Sequence, residues 1–358
     1  MTTATSALVD RVIDRGFLPD PVLRAAIRQL LRRRLRREDP GGPATRADRK
    51  RELLAAWRHA PVALHADDAN DQHYEVPTEL FELMLGPRLK SSSAYWPAGV
   101  TTLADAEEAM LSLTCERTEV ADGQDILELG CGWGSLTLWM AARYPNSRIT
   151  AVSNSATQRE LIEKRAAAAG LGNVTVVTCD INDFGIDAAG RPDTALFGRF
   201  DRVVSVEMFE HVRNHAELLR RVASWLRPDG KLFVHVFAHR DLLYPFETNG
   251  RADWMARHFF TGGVMPSHDL FLHLNDDLVV ESSWAVDGTH YARTLEAWLE
   301  QLDDERDRVR QLFADTYGAA SADAWYHRWR VFNLASAELF GFRGGTEWHL
   351  SHHRLVRR

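Results

Sequence analysis

Glu207-Met208-Phe209-Glu210-His211 places two carboxylates and an imidazole within five residues. A carboxylate can hold a cation or take a proton, and an imidazole with an unperturbed pKa of about 6.5 is suited to general base catalysis near neutral pH. This group can bind a cation, accept a proton, or do both. A second stretch, Glu128-Leu129-Gly130-Cys131-Gly132-Trp133-Gly134, is built for close approach, because glycine lets backbone reach a ligand without a side chain in the way. Its spacing differs from the dinucleotide fingerprint Gly-x-Gly-x-x-Gly, and no Gly-Lys-Ser/Thr follows to make a phosphate loop. The Glu128 carboxylate suits a ligand with an ammonium or cationic end better than a pyrophosphate.

The elements that must position these residues follow from hydrophobic patterning. Phe200 to Val206 reads as a buried strand, so Glu207, Glu210 and His211 fall at its carboxyl end, where open α/β sheets bind ligands. Ile126 to Leu129 is a strand, Ser135 to Arg143 a helix, Arg148 to Ser153 a strand and Ala156 to Ala169 a helix. Val174 to Thr178, Leu232 to Phe237, Leu278 to Ala285 and Trp348 to Val356 are further strands, with a helix over Ala216 to Leu226. The alternation predicts an α/β fold with a doubly wound, mostly parallel seven-stranded sheet. After the second strand the ligand edge is polar and uncharged, with Ser153-Asn154-Ser155 and Gln158. After the third come Cys179, Asp180, Ile181 and Asn182, a place where a polar group and an apolar neighbour can grip an adenine ring.

Residues 1–70 are expected to form a helical N-terminal extension, broken at Asp39-Pro40-Gly41-Gly42-Pro43, with residues 71–358 as the main domain. The segments at about 240–275 and 290–340, the latter with helices over Leu295 to Tyr317 and Ala322 to Phe340, are expected as insertions that cover the ligand edge. Arg24 to Arg37 carries seven arginines on an amphipathic helix. A solvated face packed on the main domain is the favoured expectation, and contact with a membrane surface the alternative.

A formal charge of -7 excludes nucleic acid as the main partner, since phosphate binding needs a basic surface. The three cysteines lack metal-ligand spacing and are expected to be reduced thiols in a cytoplasmic protein. No metal is expected. His349, His352 and His353 fall in the last strand, where alternation sends neighbouring side chains to opposite faces. A homodimer is left open.

The glycine loop with Glu128, together with Asp180-Ile181-Asn182, resembles the cofactor motifs of class I (Rossmann-like) S-adenosylmethionine-dependent methyltransferases. Gln72 to Thr78, Ser92-Ser93-Ala94-Tyr95-Trp96 and Met208 to Val212 are similar to the cyclopropane fatty acid synthase superfamily. Glu207 to His211, Phe233-Val234-His235-Val236-Phe237 and Asp253-Trp254-Met255-Ala256-Arg257 are similar to its coclaurine-type N-methyltransferases, as are Phe259 to Gly263 and Ala337 to Gly341. The resemblance runs from about residue 65 to the C-terminus. It implies S-adenosyl-L-methionine as cofactor, held by Ser92, Glu128, Gly130, Gly132, Trp133, Gly134, Asn154, Gln158, Asp180, Ile181 and Asn182.

Departures from the lipid branch are chemical. Cyclopropane synthases hold a bicarbonate base with a cysteine where Ser93 stands, and usually carry glycine where Glu207 stands. An amine substrate implies a proton acceptor built from side chains instead. His211 is expected as general base, Glu210 as its orienter or as an ammonium contact, and Glu207 as a further carboxylate. Tyr74, Glu75, Trp254, Phe259, Tyr291, Trp329 and Phe332 are expected at the substrate, where aromatic faces also attract cations. The expected activity is N-methylation of a small, aromatic or alkaloid-like amine. Methyl or methylene transfer to unsaturated fatty acyl chains is the alternative.

Overall fold

The computed structural model describes residues 10–64, 76–246, 254, 259 and 262–358. Tyr74 and Glu75 lie outside the described residues. Seven strands form the main sheet: β1 (Asp125–Leu129), β2 (Arg148–Ser153), β3 (Val174–Thr178), β4 (Phe200–Val206), β5 (Leu226–His239), β6 (Leu278–Val286) and β7 (Trp348–Arg357). Their order is β3-β2-β1-β4-β5-β7-β6. The first five pair in parallel, and β7 runs antiparallel to both neighbours. Chain order reverses between β1 and β4, so the loops after these two strands open a crevice at the carboxyl edge.

Alternate residues of the central strands serve two cores. Leu127, Leu129, Val203 and Val234 pack with Leu218, Val222 and Trp225 of helix His215–Trp225 on one face. Ile126, Val204 and Phe233 pack on the other with Leu111, Leu136, Trp139 and Met140. Burial on both faces explains the adjacent apolar pairs Ile126-Leu127 in β1 and Val203-Val204 in β4. It also fixes where each strand delivers the residue that follows it.

After a short helical turn over residues 10–14, the N-terminal region carries helices α1 (Asp20–Glu38) and α2 (Pro43–Trp57), broken at the Asp39–Pro43 cluster as expected. Part of the basic face of α1 is consumed inside the protein. Arg24 pairs with Glu296 and Glu338, and Arg28 with Glu338 at 2.8 Å. No helix among the described residues is long and apolar enough to cross a membrane.

Beyond β6, the stretch expected as one helix over Leu295–Tyr317 is two. Helix α3 (Gly288–Asp304) is followed by α4 (Arg306–Tyr317) and then α5 (Ala319–Phe340). The break falls beside Asp303, whose carboxylate accepts bonds from Tyr326 and Arg330 of α5 at 2.6 Å each. These tertiary ties override a local sequence that is otherwise good helix. The resulting three-helix layer lies over the carboxyl edge of the sheet and brings Tyr291, Trp298, Trp329 and Phe332 to the cavity there.

Candidate active site

The loop after β1 folds tightly because Gly130, Gly132 and Gly134 all adopt positive φ, at 79°, 51° and 79°. A Cβ at Gly130 would stand 2.7 Å from the Met208 side chain, and one at Gly134 2.5 Å from Ile162. The first position therefore lets the post-β1 and post-β4 loops touch. The third seats the following helix, Ser135–Arg143, against helix Ala156–Ala168.

A cavity of about 270 Å³ opens beside this loop. Of the expected cofactor residues, Ser92, Glu128, Gly130, Gly132 and Trp133 line it, as do Asn154, Gln158, Asp180 and Ile181. Gly134 and Asn182 are absent from the lining for different reasons. Gly134 is turned to Ile162, and Asn182 clamps Ala63 through its amide, accepting the Ala63 N–H at 3.0 Å and donating back to its carbonyl at 3.2 Å. Asn182 thereby holds Ala63 and Leu64 at the cavity wall instead of facing the ligand. Gln158 is buried and accepts the Ser153 hydroxyl at 2.6 Å, and its N–H caps onto Ser155 at 3.3 Å.

The cavity's polar groups fit a cationic ligand. Glu128 is buried, its carboxylate accepts the Thr137 hydroxyl at 2.6 Å, and burial pushes its pKa up to about 8 against the pull of Thr137 and Lys90. A positive ligand end beside it would restore the charged form. The Ser135 hydroxyl is buried at the cavity with no hydrogen-bond partner among the described residues, and is available to a ligand.

The second half of the site grows from the end of β4. Glu207 has φ 50°, a left-handed setting that non-glycine residues adopt at a cost of about 1–2 kcal/mol. Its carboxylate accepts the Ser93 N–H at 2.9 Å and the Tyr291 hydroxyl at 2.7 Å, and His235 Nε2 lies 3.3 Å away. Burial alone would raise its pKa, but His235, Lys90 and the Ser93 N–H outweigh burial and hold it below the usual carboxylate value. Glu207 is thus an ionised, buried carboxylate on the cavity wall.

His211 also lines the cavity, and burial lowers its pKa despite the opposing pull of Glu207. Its neutral ring is the dominant form near pH 7, ready to accept a proton. Glu210 is placed differently from expectation. It is outside the cavity lining, only 1% exposed, and its Oε1 accepts the Phe237 N–H at 2.6 Å. No hydrogen bond joins its side chain to His211 among the described residues. Burial and the Glu207 charge push its pKa well above the ordinary value, which leaves it a neutral acid.

Among the expected substrate residues, Tyr291, Trp329 and Phe332 line the cavity. Phe259 stands behind them, its ring 4.7 Å from Phe332 and 5.3 Å from Trp329, and Trp254 packs on Phe259 at 5.5 Å. These two brace the wall. The sequence left Lys90 and His235 unassigned. Lys90 is buried at the cavity, donates to Ser92 Oγ at 2.5 Å and has its pKa lowered to about 8 by burial, against the attraction of Glu207, Glu107 and Glu128. The one available signal was a polar side chain inside, or just before, a motif block of otherwise different character. His349 and His353 meet His268 on one face of β7 while His352 meets His235 on the other, as alternation requires.

A seven-stranded sheet in this order, with the acidic Glu128 near the end of β1 and a glycine loop after it, defines a class I S-adenosylmethionine-dependent methyltransferase, and S-adenosylmethionine is its cofactor. The model of the mycolic acid cyclopropane synthetase family matches residues 64–343, and the chain belongs to that family. It is 37% identical over 344 residues to (S)-coclaurine N-methyltransferase of Thalictrum flavum subsp. glaucum, covering 95% of this chain and 92% of that one. The crystal structure of coclaurine N-methyltransferase bound to N-methylheliamine and SAH superposes with a TM-score of 0.91 at 34% identity, covering 98% and 99% of the two chains. The cyclopropane synthase MmaA2 from Mycobacterium tuberculosis shares the fold at a TM-score of 0.67 and 23% identity, covering 83% of this chain and 99% of that one.

Proposed function

We propose that this enzyme transfers a methyl group to the nitrogen of a small amine, with an aromatic or alkaloid-like amine as the best fit. The observation that carries this is Glu207. A strained left-handed backbone position, where the lipid branch usually has glycine, is given to a buried carboxylate that three partners keep charged. Such a group serves a cationic substrate and gives an acyl chain nothing to bind.

S-adenosylmethionine supplies an electrophilic methyl group on a sulfonium; Glu128, the glycine loop, Asn154, Asp180 and Ile181 are the residues proposed to hold it. A protonated amine has no lone pair and cannot attack. Glu207 draws the ammonium into the cavity and orients an N–H. His211, kept neutral by burial, takes that proton at a ring nitrogen and frees the nitrogen lone pair. Tyr291, Trp329 and Phe332 exclude water and offer faces to an apolar amine. Neutral Glu210 adds no charge here and is assigned to holding the loop through Phe237. The name of the relative from Thalictrum and the amine bound in the solved structure point the same way.

Lipid methyl or methylene transfer is favoured by the family's name and by the shared fold of the cyclopropane synthase. Incubation with methyl-labelled cofactor, using separate panels of amines and unsaturated phospholipid vesicles, separates the two. Label on amine nitrogen is expected, and label in lipid alone would overturn the assignment.

A further inference from the structure

Behind Glu207, on the side away from the cavity, lies a buried column of side chains that the scheme above does not use. His235, in the middle of β5, meets Glu207 twice. Its carbonyl accepts the Glu207 N–H at 2.8 Å, and its Nε2 lies 3.3 Å from Glu207 Oε1. It is fully buried, and neither ring nitrogen has a hydrogen bond of normal geometry to any described residue, so the 3.3 Å approach to Glu207 is the one polar contact its Nε2 has among them. His352, directly opposite on β7, lays its ring against His235 with centroids 4.3 Å apart. The Nδ1 of His352 meets Arg117 Nη1 at 2.8 Å. A guanidinium can only donate, so His352 Nδ1 is the acceptor and the neutral ring carries its proton on Nε2. Arg117 is in turn seated over Trp284, 5.0 Å from the ring centroid. The outer end of the column is anchored, and the His235 ring cannot turn away from Glu207.

We propose that His235 is a positioning residue for methyl transfer: it donates Nε2–H to Glu207 and holds that carboxylate ionised and aimed at the amine. This rests on the amine-binding role given to Glu207 above. The geometry argues for it in two ways. Glu207 Oε1 and Oε2 already take the Ser93 N–H and the Tyr291 hydroxyl, and His235 supplies the third contact, from inside the sheet. The backbone of Glu207 is held in its left-handed conformation by the His235 carbonyl, so one residue fixes both ends of the glutamate. A carboxylate with three donors keeps its charge when buried, and one with two is far closer to protonation. The other titratable groups facing Glu207 are Lys90, His211, Glu210 and Tyr291; those facing His235 are Glu207, His352, Lys90 and Arg117.

The test is kcat/KM against pH for amine methylation by His235→Phe, His235→Gln and Glu207→Gln, with cofactor affinity and thermal midpoint measured alongside. Phenylalanine fills the space without a donor, so Glu207 takes up a proton more readily. The acid limb should move to higher pH by about one unit, a tenfold loss below the limb with little change on the plateau. Glutamine restores a donor and should return the limb to the parent position. His352→Phe, which releases the column from Arg117, should move the limb the same way by less, and it carries the test if His235→Phe fails to fold. Unmoved acid limbs in the folded variants would overturn the proposal if Glu207→Gln is inactive. An active Glu207→Gln would instead overturn the amine-binding role on which it rests.

Discussion

The Tyr291 hydroxyl donates to Glu207 Oε2 at 2.7 Å, tying the first turn of α3 to the end of β4 across the cavity. The ring of Tyr291 is stacked on Phe340 at 4.4 Å, so the hydroxyl is delivered from a fixed position. The helical layer over the sheet therefore does more than roof the cavity. It contributes one of the donors to the Glu207 carboxylate on the cavity wall.

Tyr291→Phe should leave the fold intact and remove one bond to a charged acceptor, worth about 1.5–3 kcal/mol. Steady-state kinetics on an amine substrate should show kcat/KM reduced roughly 10- to 100-fold. Unchanged kinetics would mean that Glu207 does not depend on this donor.

Cofactor affinity should rise with pH until Glu128 is ionised. Its pKa near 8 in the ligand-free protein means that below pH 8 a cationic ligand must first displace a proton. Lys90, with a pKa also about 8, adds to the same trend by losing its charge as pH rises. Calorimetric titration of S-adenosylmethionine at pH 6.5, 7.5 and 8.5 should show increasing affinity and proton release. Glu128→Gln should bind more weakly and flatten the dependence to what Lys90 alone contributes. An equally steep dependence in that variant would remove Glu128 from the cofactor site.

Gly130→Ala combines a φ of 79° with a Cβ 2.7 Å from the Met208 side chain. The post-β1 and post-β4 loops must then part. We expect cofactor affinity to fall by at least tenfold, read by the same titration, and methylation to fall with it. Gly123→Ala, also at positive φ but with open space around it, should cost stability only.

The histidines of β7 set an acid limit. His353 has its pKa pulled down to about 3 by burial and by His268 and His349, and His349 lies at about 4. Both folded values are below the unfolded value near 6.5, so the unfolded chain binds more protons between them. The stability these groups support is complete above about pH 6.5 and is lost as pH falls toward 4. His353→Gln should therefore lose less thermal midpoint than the parent between pH 7 and pH 5. Parallel losses would show that His353 takes up its proton equally in the folded and unfolded states, so that burial does not lower its pKa.

How far the sequence reaches depends on the kind of signal. The strands were legible because burial on both faces leaves apolar runs such as Val203, Val204 and Val206, and the glycine loop because positive φ has a residue signature. The carboxyl-end position of Glu207 and His211 followed from those two facts. Glu210 shows the limit. Its type and spacing suit a charged orienter, but its protonation is decided by a burial that only the tertiary structure specifies. Asn182 and Gly134 likewise sit in the right motifs yet are spent on Ala63 and Ile162. Lys90 and His235 matter through partners distant in sequence, Glu207 above all, and nothing local announces such pairings.

The most direct test of the amine-handling site is methyl transfer from labelled S-adenosylmethionine to a secondary aromatic amine, in bicarbonate-free buffer and with bicarbonate added, by the parent enzyme and by Glu207→Gln. The parent should form N-methyl product equally well in both buffers, and Glu207→Gln should form none in either. Product that requires bicarbonate, or full activity in Glu207→Gln, would contradict the account.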